Sequence, residues 1–400
     1  MADDGSPTPP DPFGGIPFLG DMMRAMASQG PLNWDLALQF AAMGARGEDP
    51  DPDPSTSSRI EWNALADIAD LRVGAVTGLA TGPSGRHPEI LTVTRAGWAA
   101  RALSDLRPLF TDLATSLSSN SGTDGESAAD PLAAMLGQLS KMMAPAMMGM
   151  SVGSMAGALA RHALGQYDLP LARPTAREIL VVDSSVQTFA DDWSIPRDDV
   201  RVWVLVHELA SHAALSSPAA VDGMMASIRS HVAAFRPDPT ALMDRLGSID
   251  PGDMGDGGIE GVMSSVQSMF SDPLVLLGAV RSAEQDAIAP VLDAQVAAIR
   301  GYIDWIVDTV GAQLLGTTAT IAEAVRRRRL EYGSDARLIE ALLGLTLNTT
   351  QMARGRSFVE GVLERGGSDR LPHMLTDPSL LPTPNEVDAP GLWLARLEVL

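Results

Sequence analysis

Residues 203–214 read WVLVHELASHAA, and this stretch decides how the chain is read. Val202, Leu205, Val206 and Leu209 form an apolar stripe at helical spacing. Upstream, Ser194 suits an N-cap, Pro196 a first turn, and Asp198 and Asp199 the positive end of a helix dipole. The stretch is therefore expected to be a largely buried helix carrying His207, Glu208, Ser211 and His212.

His207, Glu208 and His212 come close to the H-E-x-x-H pattern, with the second histidine one residue late. In H-E-x-x-H the imidazoles are four residues apart, about 40° in direction on an α-helix, so both reach one zinc ion. The glutamate between them takes a proton from the metal-bound water. Five residues turn about 140° on a regular helix, which sends His207 and His212 to different sides. A π-bulge between them would bring them together. Ser211 occupies the position four after His207.

The chain has 400 residues, enough for one large domain with a sizeable core. Aromatic residues make up 4% of it, and the apolar content rests on Ala, Leu, Val and 20 Met, which favour helices. A net charge of −21 argues against nucleic-acid partners and against anionic membrane surfaces. With no cysteine, disulfides, thiolate zinc sites and cysteine nucleophiles are excluded, so a metal would need His, Asp or Glu. The acidic, Pro-rich N-terminus does not read as a signal peptide, and a cytoplasmic location is the expectation.

Residues 1–57 read as a disordered or extended arm with short helices, and residues 58–400 as a single mostly helical domain. The stretch 92–117 is expected to be one long amphipathic segment, and REILVVDSSV at 177–186 is the clearest strand candidate. Gly149, Gly153 and Gly157 repeat every four residues, as on a helix that packs closely through one face. Long helical patterns run over 283–314 and 318–331. His87, His162, His231 and His373 are scattered without ligand spacing, and no G-x-S-x-G elbow or phosphate-binding loop is present.

Several stretches occur in order along nearly the whole chain: PFLGDMMRAMASQGPLNWDLALQFA, GQYDLPLARP, FADDWSIPRDDVRVWVLVHELASHAAL, AVRRRRLEYGS and DPSLLPTPNEVDAPGLWLARL. Together they resemble the actinobacterial zinc-dependent metalloprotease-like family of hydrolases. The resemblance implies a mostly α, zincin-like fold with a minor strand element. It implies zinc as cofactor, His207 as first ligand and Glu208 as general base, with Ser211 at the second-ligand position. Arg300 falls where the family carries a glutamate that is a plausible third ligand.

Arg300, Asp304 and Asp308 are spaced to share one helix face, so an Arg300–Asp304 pair is expected, with the guanidinium standing where a metal would be. Three functions follow. The chain is a zinc hydrolase with His207 and His212 on the metal, a pseudoenzyme that binds in the old cleft, or a scaffold for a protein or peptide partner.

Overall fold

The computed structural model describes residues 30–47, 49–82, 86–120, 131–173, 177–235, 282–316, 318–331 and 342–399. The helix expected after Pro17, the Gly/Asp loop at 247–261 and the methionine clusters at 22–26 and 262–269 lie outside the described residues. The fold is mostly helical, with one two-stranded parallel sheet.

Helix α1 (Trp34–Gly44) is capped by Asn33, whose Oδ1 accepts from Leu36 N at 3.0 Å. It lies along α5 (Pro131–His162) at a spacing only glycine allows. A Cβ on Gly149, Gly153 or Gly157 would come within 2.4, 2.2 or 2.6 Å of the Asn33, Ala37 or Ala41 carbonyl oxygen. The four-residue glycine repeat is thus a seam between two helices inside the protein. Among the described residues, no helix is long and apolar enough to cross a membrane.

Helix α2 (Thr56–Thr77) starts at the Ser55 cap and ends at Gly78, whose φ of 67° is the left-handed conformation glycine adopts freely. The amphipathic stretch expected over 92–117 is the last residue of a strand followed by two helices. Strand β1 (Glu89–Thr92) comes first, then α3 (Arg95–Asp105) behind the Thr94 cap, then α4 (Arg107–Asn120). The apolar run ILTV reads equally as buried strand or helix, and pairing with a distant strand settles it.

That partner is β2 (Glu178–Val181), parallel to β1 with Ile90 opposite Ile179. The strand expected over 177–186 is therefore shorter. From Asp183 the chain turns into α6 (Asp183–Asp192). Asp183 holds that corner, accepting from Ser58 Oγ at 2.7 Å and Trp62 Nε1 at 2.8 Å. Because α6 takes this segment, Ser194 is not an N-cap. It sits in the turn with a φ of 52°, and Pro196 precedes α7 (Arg197–Leu215) instead.

A π-helical turn (Ala219–Met224) links α7 to α8 (Met225–Ala233). Helix α9 (Ala283–Leu314) opens with a Ser282–Gln285 capping box and packs against α7. Helix α10 (Thr318–Glu331) and α11 (Thr349–Gly366) follow. Gly301 of α9 and Gly355 of α11 let those two backbones approach, since a Cβ on Gly301 would lie 2.4 Å from the Gly355 carbonyl oxygen. The core runs continuously through α7 and α9, so the histidine-bearing helix is central.

Candidate functional site

Between Val200 and Leu215 of α7 every residue but Arg201 and Val202 is buried. The helix is regularly α through residues 207–212, and the π-turn comes later, at 219–224. No local widening therefore draws His207 and His212 together, and five regular residues separate them by about 140°. The four-residue partners on this helix are instead Glu208 with His212, and His207 with Ser211.

Glu208 and His212 meet the turn of 3-10 helix at Gln166–Asp168. The Tyr167 backbone N–H donates to Glu208 Oε2 at 2.9 Å, and the Tyr167 hydroxyl lies 2.7 Å from His212 Nδ1. His207 Nδ1 lies 3.1 Å from Glu208 Oε1, and its ring stacks on Trp203, one turn back, with centroids 5.5 Å apart. Glu208 is 1% exposed and His212 4%.

The turn itself is pinned from three sides. Trp98 Nε1 donates to the Gly165 carbonyl at 2.8 Å, Val182 N to the Leu164 carbonyl at 2.9 Å, and Leu180 N to Gln166 Oε1 at 3.0 Å. Gly165 is extended at φ −147°, which any residue adopts. It is glycine because of space, since a Cβ there would lie 2.3 Å from Glu208 Cδ.

Burial sets the ionisation of this cluster. Loss of solvent pushes the Glu208 carboxyl above its usual range, against the opposing pull of His207 and the Tyr167 N–H. Burial lowers His212 to about 4 and raises the Tyr167 hydroxyl. A protonated phenol and a neutral imidazole thus share the Tyr167–His212 hydrogen bond with no ionic charge on either ring.

The remaining expected residues are on α7 and α9. Ser211 is buried on the His207 side of α7. On α9, Arg300 and Asp304 are half-buried and Asp308 is exposed. Glu208 accepts from the Tyr167 N–H and is hydrogen-bonded to His207 Nδ1. Among the described residues, no three His, Asp or Glu side chains are placed to hold one metal ion. The zinc implied by the H-E pair does not fit this donor set, because the imidazoles diverge and Glu208 is tied to the protein through both oxygens.

Gly165 and Tyr167 were legible only as part of the GQYDLPLARP stretch, with nothing in their spacing to assign them a role.

The fold has a solved counterpart. A crystal structure titled "a putative hydrolase with a novel fold", from Chloroflexus aurantiacus, matches with a TM-score of 0.56 and 18% identity. The match covers 92% of this chain and 99% of that one. No curated protein matches the chain. The family model for zincin-like metallopeptidases matches residues 32–394, a span that takes in α7, the Gln166–Asp168 turn and α9. With that span matched from end to end, the chain belongs to the zincin-like metallopeptidase family.

Proposed function

We propose that this family member holds no zinc on α7 and that its scaffold serves binding rather than peptide hydrolysis. One observation carries this reading: both carboxylate oxygens of Glu208 are engaged within the protein, at 1% exposure. A general base needs a reachable water, and a metal centre needs convergent ligands. Glu208 faces a backbone N–H and an imidazole instead, and His212 is bonded to Tyr167. The binding partner is a peptide or small molecule rather than nucleic acid, given the net charge of −21.

Elemental mass spectrometry of the purified, untagged protein tests the reading. No stoichiometric zinc is expected, before or after zinc is added and excess removed. One zinc per chain, with hydrolysis lost in Glu208→Gln, would overturn it. That outcome would favour the second reading, a zinc hydrolase, which the family match itself supports. Restoring both family positions with Ser211→His and Arg300→Glu should create zinc affinity measurable by calorimetry. No gain would mean that α7 and α9 do not share a centre.

A further inference from the structure

A second polar region lies beside the first. A cleft of about 640 Å³ opens between α3, the extended stretch at Leu171–Arg173, the start of β2 and α8. Four arginines line it, Arg101, Arg173, Arg177 and Arg229, against two acids, Asp105 and Glu178. The cleft is locally cationic on a chain of net charge −21. Such a pocket focuses anions that the rest of the surface repels.

Its acids are already committed. Arg101 pairs with Glu178, and Arg173 Nη1 donates to Asp105 Oδ2 at 2.7 Å. Arg177 and Arg229 are exposed, and their side chains have no ion pair among the described residues. Arg173 is only 6% exposed, yet its Nε and Nη2 are buried with no acceptor among the described residues. A buried guanidinium with unmet donors is costly, and a carboxylate or phosphate is the partner its fork matches best. Leu109, Leu171 and Met225 supply an apolar wall beside it.

We propose that this cleft binds a small organic anion, with a carboxylate or phosphate head on Arg173, Arg177 and Arg229 and an apolar body against Leu109, Leu171 and Met225. The volume suits a compact ligand. The site stands whether or not α7 carries zinc.

Calorimetry on the full chain tests it, with hexanoate and phenyl phosphate as probes and hexanol and inorganic phosphate as controls. One-site binding of hexanoate or phenyl phosphate is expected, weakened by salt, and the tighter of the two identifies the head group. Arg173→Gln should weaken it by about tenfold or more. Should that variant fail to fold, the exposed double variant Arg177→Gln with Arg229→Gln should show the same direction of change. No binding by either anion up to about 10 mM would overturn the proposal. So would unchanged affinity in the folded variants, or controls that bind as tightly as the probes.

Discussion

Two buried polar regions of this molecule lie a few residues apart and solve the same problem differently. Around Tyr167 the protein supplies its own partners, so that Glu208, His212 and the Tyr167 hydroxyl all bond within the chain. Around Arg173 it does not, because among the described residues the guanidinium has one carboxylate and two nitrogens without an acceptor. A satisfied buried network acts as structure, whereas unmet donors lining a cleft leave work for a ligand. An H-E motif alone would have pointed to the first region as the seat of function. The proposed anion site lies in the second.

The comparison breaks most readily at Gly165. Gly165→Ala should cost about 3 kcal/mol in urea denaturation, because the new Cβ meets the Glu208 carboxyl. In a Glu208→Ala background the same change should cost much less. Equal costs in both backgrounds would mean that the close approach is not what selects glycine.

His212 should make stability depend on pH. Its folded value of about 4 lies below the ordinary 6.5, so between those values the unfolded chain takes the proton that the folded chain refuses. The stability is complete above pH 6.5 and declines as the pH falls towards 4, by up to about 3 kcal/mol. His212→Gln should flatten that part of the profile relative to the parent. An unchanged slope would place the proton elsewhere.

Tyr167→Phe removes a single hydroxyl bond to His212 and should cost about 1 kcal/mol, leaving the backbone bond to Glu208 intact. The smallest effect is expected at the cleft rim. Arg177→Gln with Arg229→Gln should shift stability by less than about 0.5 kcal/mol, as exposed positions do. If that double variant destabilises more than Tyr167→Phe, the division into a structural and a binding region fails.

Much of the fold was legible in the sequence. Helices over 283–314 and 318–331 follow from apolar spacing, and α9 and α10 occupy those bounds. The glycine repeat at 149–157 announced a close helix contact, because only absence of a Cβ explains such a stripe. Strand β1 was missed and β2 overextended, since four-residue apolar runs do not distinguish strand from helix without the partner strand.

By itself, then, the sequence determined a mostly helical chain, a central α7 with His207 and Glu208 on it, and a second histidine out of ligand register. Those are local properties, set by composition and by the 3.6-residue turn. Only the tertiary structure decided what each polar group meets. Tyr167 lies 41 residues before Glu208, and Asp105 lies 68 before Arg173. Partnership across such distances depends on how helices pack, and packing is a property of the whole core rather than of any motif.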